Sequence, residues 1–166
     1  GLFSEALSEK EEYESERVKF LLSPHSVYGC SEKLLRQISL EASERSMLKH
    51  IHLSESEKEV KDCLSRYNKT PVELLRETGF LDSKILAAHC VMLSDKDIEI
   101  LGKRGVTCVH NINSNLKLSS GYRFRYNELR DAGANVCLGT DGCASSNNLD
   151  MLETMKTAAM VQKAWR

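Results

Sequence analysis

Proline and aromatic residues are scarce in this sequence, with two prolines, one tryptophan and 6% aromatic side chains among 166 residues. So few prolines, with only nine glycines, argue against a disordered or linker-rich chain. No run of about 18 apolar residues occurs, which excludes a membrane-spanning helix. A basic surplus is also missing. The 23 Lys and Arg are matched by 24 Asp and Glu, so a face built for nucleic acid is not expected. The acidic stretch 1–17 lacks an apolar segment and does not read as a signal peptide. Six cysteines, at positions 30, 63, 90, 108, 137 and 143, never form Cys-x-x-Cys, so a zinc finger is excluded. Most of them lie in apolar runs and read as buried free thiols of a cytoplasmic protein. What remains is 41% apolar and 28% charged, the make-up of one globular domain with a sizeable core.

Short apolar or β-branched runs alternate with helical patterns. Residues 18–22, 48–52, 84–88, 106–109 and 135–138 read as buried strands. Helices are expected over 4–17, over 31–44 with Leu34, Leu35 and Ile38 on one face, and over 71–76 behind Thr70 with Pro71 at the first position. Further helices open at Ser94, ending between Gly102 and Gly105, and span 126–132 and 148–163. The last carries Leu149, Leu152, Met155 and Ala159 on one stripe, and Met92, Met151, Met155 and Met160 are expected as core filler. The glutamates near the start read as a solvated helix face. The alternation predicts an α/β fold with a parallel sheet of about five βα units in a single domain, 1–166.

The residues that follow each strand carry the chemistry. His25, His52, His89 and His110 stand at the ends of the first four, and Asp141 follows the fifth. Parallel strands bring their C-terminal ends to one rim, where enzyme sites are built. Imidazoles and a carboxylate converging there suit a borderline metal such as zinc, which activates water. The spacing from His25 to Asp141 averages about 29 residues per unit, against roughly 30 in an eight-unit barrel. Five units cannot close such a barrel, so the sheet is either open or part of a larger barrel. His50 shares the face of His52 by strand alternation and is expected deeper and structural.

The segments Ser23-Pro24-His25 through Ser31, Ile51-His52-Leu53-Ser54-Glu55, Ala88-His89-Cys90-Val91, His110-Asn111 with Ser114 to Leu118, and Leu138-Gly139-Thr140-Asp141-Gly142 with Ser145 to Asn148 occur in a characteristic order. In these segments the chain resembles the amidohydrolase superfamily, in its deaminase and chlorohydrolase branch. The resemblance implies a partial (β/α)8 TIM barrel whose five units correspond to strands four to eight. It implies that His52 and Asp141 hold zinc, with iron or manganese as alternatives. It implies that Asp141 accepts a proton, that Glu55 carries one to the purine ring, that His89 hydrogen-bonds the developing tetrahedral oxygen, and that His25 contacts the nucleoside together with Glu55. Asn111, Ser114 and Asn115 are expected only to shape a loop. The implied reaction is hydrolytic deamination of an adenine nucleoside of the methylthioadenosine or adenosylhomocysteine type, with release of ammonia.

Family members carry a further His-x-His pair of ligands on their first strand, and no such strand precedes Val18. The expectation is therefore a C-terminal piece of a larger enzyme, inactive alone and holding little metal, because two donors bind zinc weakly. Rival readings are an amidohydrolase for guanine or a chlorinated triazine, and a non-catalytic open α/β domain. An incomplete barrel is also expected to self-associate, or to be completed by a second copy, through its exposed sheet edges.

Overall fold

In a computed structural model, which describes residues 2–165, the elements run α1 (Leu2–Tyr13), β1 (Leu21–Leu22), α2 (Glu32–Glu44), β2 (Leu48–Leu53), α3 (Glu57–Tyr67), α4 (Pro71–Glu77), β3 (Ile85–His89), α5 (Asp95–Lys103), β4 (Thr107–His110), α6 (Ile112–Lys117), α7 (Tyr126–Asp131), β5 (Asn135–Leu138), α8 (Cys143–Ser146) and α9 (Met151–Ala164). All four strand pairings are parallel and the order is β1-β2-β3-β4-β5. A sheet that adds each strand on the same side, through crossovers of one hand, gathers its helices on one face. It is the arc of a barrel rather than a doubly wound sheet, whose order reverses at a switch point.

Strand alternation divides the sheet. Lys49, Ile51 and Leu53 of β2 are buried, while Leu48, His50 and His52 are half-buried. On the covered face Ile51, Leu53, Ile85, Ala87 and Cys108 meet Leu35, Ile38 and Ala42 of α2, Leu74 and Leu75 of α4, and Ile98 and Leu101 of α5 in one core. Ser31, Thr70 and Ser94 cap three of these helices, as their sequences predict. Gly102 is dictated by packing: a Cβ there would collide with the backbone of Ala132 at the end of α7. Lys49 is wholly buried in this layer. Its Nζ donates to the Phe80 carbonyl at 2.5 Å and sits over the Phe80 ring, and burial pushes its pKa down to about 8.

The flanks differ from the sequence reading. The first strand forms only at Leu21–Leu22, because β1 has a single neighbour and Val18 and Leu21 are exposed. The first helix ends at Tyr13 rather than Arg17, where Ser15 turns the chain by accepting from the N–H of Val18. Three helices were not anticipated: α3, α6 and α8. The apolar stripe of α9 is not a core stripe. Leu149, Leu152 and Met155 are exposed, as are Met151 and Met160, and the buried position of the helix is Thr154. The helix meets both α6 and β5, and toward α6 it presents Thr154, whose hydroxyl is bonded to the Asp150 carbonyl and faces Asn113. Trp165 is half-buried with the Arg123 guanidinium over its ring. All six cysteines are free, with Cys63, Cys90 and Cys108 buried. Among the described residues no helix is long and apolar enough to cross a membrane.

Candidate active site

The rim at the strand C-termini gathers His25, His52, Glu55, His89 and Asp141. His25 lies in the turn after β1, and its carbonyl accepts both the backbone N–H of His52 at 3.0 Å and the Nδ1–H of the same residue at 2.7 Å. That second bond fixes the tautomer of His52 and leaves Nε2 with its lone pair, the state a metal ligand requires. The imidazoles stand side by side, with centroids 4.7 Å apart for His25 and His52 and 5.4 Å apart for His52 and His89. His50 lies one pleat below on the same face. It is half-buried rather than fully buried, shares a hydrogen bond with the Ser23 hydroxyl, and has its pKa lowered by burial and by the neighbouring His52 and His89.

Alternation alone would place His89 elsewhere. Its register partner is Leu53, on the covered face. The backbone of His89 adopts φ +73° and that of Cys90 φ +50°, and this left-handed step carries the His89 ring to the open face. Asp141, in the turn after β5, also has a left-handed backbone, φ +60°. His110 has no such step. It stays on the covered face in register with Leu138, stacks on Phe124 at 4.2 Å, and burial pushes its pKa down to about 4. Four histidines stand at strand ends, but only three belong to the rim.

Three polar side chains hold the rim groups in place. Asn115 accepts the Nδ1–H of His89 at 2.8 Å, and Ser114 donates to Asp141 Oδ2 at 2.6 Å. Ser120 donates to Glu55 Oε1 at 2.9 Å from a loop 65 residues away. Ser114 and Asn115 are therefore not loop spacers. They lie on α6, fully buried, and each is hydrogen-bonded to one of the rim groups, Asn115 to His89 and Ser114 to Asp141. Their sequence signal is the spacing of Asn111, Ser114 and Asn115, three small polar residues on one helical face. At Gly139 a Cβ would strike the Asn111 amide oxygen and come within 2.8 Å of Val109 Cγ1, so the side chains packed there would have to shift.

Glu55 Oε2 lies 3.7 Å from His89 Nε2. Burial on its own would raise the pKa of Asp141. The Ser114 hydroxyl, the N–H of Gly142 and the nearby His89 and His52 outweigh it and hold the carboxyl below its ordinary value. An anionic carboxylate and an imidazole with a free Nε2 fit a divalent cation, and His52 and Asp141 are the donors that would hold it. Among the described residues no three His, Cys, Asp or Glu side chains together form a metal site.

Comparisons with known proteins identify the family and the fold. The family model described as the amidohydrolase family matches residues 3–165. A 5-methylthioadenosine/S-adenosylhomocysteine deaminase of Thermococcus sibiricus is 54% identical over 92% of this chain and 36% of its own length. A 5'-deoxyadenosine deaminase of Methanosarcina barkeri is 52% identical over 89% of this chain and 34% of its own. The crystal structure of an adenosine deaminase from Xanthomonas campestris with bound zinc superposes with a TM-score of 0.93 at 32% identity, covering 98% of this chain and 37% of that one. The chain thus spans about a third of the length of the curated relatives it matches, and its five units are part of a barrel.

Proposed function

We propose, from the premise that this chain belongs to the amidohydrolase family, that it supplies one side of the active site of a zinc-dependent deaminase acting on adenine nucleosides. The observation that carries the reading is the grouping of His52, Glu55, His89 and Asp141 on one open rim, with His52 left free at Nε2 by its bond to His25. Relatives at 54% and 52% identity named as deaminases of adenine nucleosides support the substrate class.

When bound between His52 and Asp141, a zinc ion would supply the Lewis acidity that makes water a nucleophile near neutral pH. Asp141, anionic and fixed by Ser114, receives the proton that water loses as its oxygen attacks C6 of the purine. Glu55, steadied by Ser120, passes a proton to the ring nitrogen. His89, whose Nδ1–H is taken by Asn115, offers the lone pair of Nε2 as acceptor to the hydroxyl that grows on C6. The amino group then takes the proton held by Asp141, the C6–N bond breaks and ammonia leaves, while the C6 hydroxyl gives its proton back to Glu55 and a carbonyl remains. His25 borders the place where the nucleoside would lie.

The reading includes completion of this partial barrel domain by further strands, or by a second copy, along β1 and β5. The exposed Leu21 and the absence of any buried position on β5 support this. It also includes a cytoplasmic location, supported by six free cysteines. The test is ammonia release by the full natural chain containing this segment, loaded with zinc and given 5'-methylthioadenosine, S-adenosylhomocysteine, 5'-deoxyadenosine, guanine and a chlorotriazine. Preference for the adenine nucleosides is expected. Turnover of guanine or triazine alone would overturn the substrate class, and no turnover of any compound by metal-loaded protein would overturn the hydrolase.

A further inference from the structure

We propose that Glu59 is a positioning residue that sets the Glu55–His89 pair by gripping the backbone between β2 and α3. The inference rests on the functional reading above for its catalytic consequence. Glu59 stands on α3, is 5% exposed and makes no contact of its own with the rim side chains among the bonds described. Its two carboxylate oxygens accept consecutive backbone N–H groups, that of Ser54 at 3.0 Å and that of Glu55 at 2.8 Å. A carboxylate at this helix position ordinarily folds back on the N-cap amide to close a capping box. Boxes of that kind close at Thr70 with Glu73 and at Ser94 with Asp97. At Ser56 the hydroxyl half forms, with the Glu59 N–H at 3.3 Å, and the Ser56 amide is only a weak neighbour of the Glu59 carboxylate. The carboxylate passes the cap and takes the two amides before it.

Those amides belong to the peptides that matter for the rim. Ser54 has φ +49°, a conformation a serine keeps only where its surroundings over-determine it. The Ser54 carbonyl accepts the N–H groups of Val91 at 3.1 Å and Met92 at 2.8 Å, and the Leu53 carbonyl accepts that of Cys90 at 2.9 Å. Residues 90–92 are the exit from His89, itself at φ +73°. One buried carboxylate therefore holds the amide side of a segment whose carbonyl side holds the turn after His89. The 3.7 Å separation of Glu55 and His89 is set through this backbone, whereas Ser120 acts on the Glu55 side chain. Charge-assisted bonds to two amides are strong enough for the task.

Glutamine at position 59 keeps the shape but turns a donor group onto one of the two N–H groups. The experiment compares wild type, Glu59→Gln and Asp97→Asn in the full natural chain, by adenine-nucleoside kinetics, thermal unfolding and amide hydrogen exchange. Asp97 is the control, a buried carboxylate that closes its own capping box and accepts from Ser94 and Thr70. Glu59→Gln is expected to lower kcat by about 10–100-fold with KM little changed, and to speed exchange at Ser54, Glu55, Val91 and Met92. Asp97→Asn is expected to lose stability with kcat intact. A kcat for Glu59→Gln that drops no further than that of Asp97→Asn overturns the proposal. If wild type turns over no adenine nucleoside, the functional reading fails by itself. Exchange then decides the positioning role: unchanged protection at Val91 and Met92 rejects it, and lost protection supports it.

Discussion

The covered and the open faces of this sheet are made by the same strands, yet they do different work. On the covered face Ile51, Leu53, Ala87 and Cys108 are wholly buried against helices, and their contribution is apolar area removed from water. On the open face His50, His52, Thr107 and Asn135 remain half-buried or exposed and bond to one another or to loops. Stability and chemistry are thus assigned by strand parity. Two residues depart from the division in opposite directions. Lys49 places an ammonium in the covered layer, and His89 crosses from the covered register to the open rim through a left-handed step. The difference teaches that parity sets the default, and that a local backbone or electrostatic device is needed to override it.

The comparison is broken most strongly at Asp141. Asp141→Asn in the full natural chain is expected to cut deamination by about 10²–10⁴-fold while the unfolding free energy moves by less than about 1 kcal/mol. A large loss of stability with activity retained would reverse the assignment of the open face. Next comes Ile51→Ala on the covered face, one residue from His52, expected to cost about 2–5 kcal/mol in denaturant unfolding, with kcat of the folded fraction unchanged. Lys49 gives a third, smaller effect with a defined sign. Its folded pKa of about 8 lies below the ordinary 10.5, so between those values the unfolded chain binds more protons and stability rises with pH. The gain of wild type over Lys49→Met across that window should be roughly 2–3 kcal/mol. Taking the difference between the two proteins removes the opposite drift from the buried thiols of Cys63 and Cys90, whose pKa values are raised by burial and by neighbouring groups. The smallest effect belongs to the α9 stripe. Leu152→Gln should change the stability of the 166-residue chain by less than about 0.5 kcal/mol, since Leu152 is 76% exposed. A larger loss measured by calorimetry, growing with protein concentration, would show that the stripe is buried between molecules.

Much of this arrangement is legible in the residues. The strand runs of β2 to β5, the caps at Ser31, Thr70 and Ser94, and the delivery of His25, His52 and Asp141 to one rim follow from apolar runs, cap spacing and the parallel sheet they imply. The helix α3 was equally within reach, since Ser56 precedes Val60, Cys63 and Tyr67 at helical spacing. The α9 stripe shows the limit. Its periodicity is helical as expected, but periodicity says which residues share a face and not what that face meets. Ser114 and Asn115 were visible as letters and invisible as clamps, because their partners lie 27 and 26 residues away.

By itself the sequence determined the βα rhythm, the parity of each strand and the kinds of donor at the strand ends, because these depend on neighbours close along the chain. Only the tertiary structure decided that His89 turns inward while His110 does not, that Glu59 reaches past its own cap, and that Ser120 meets Glu55. Those outcomes depend on left-handed backbone steps and on contacts between distant segments. The surrounding packing enforces them, and no local pattern of residues encodes them.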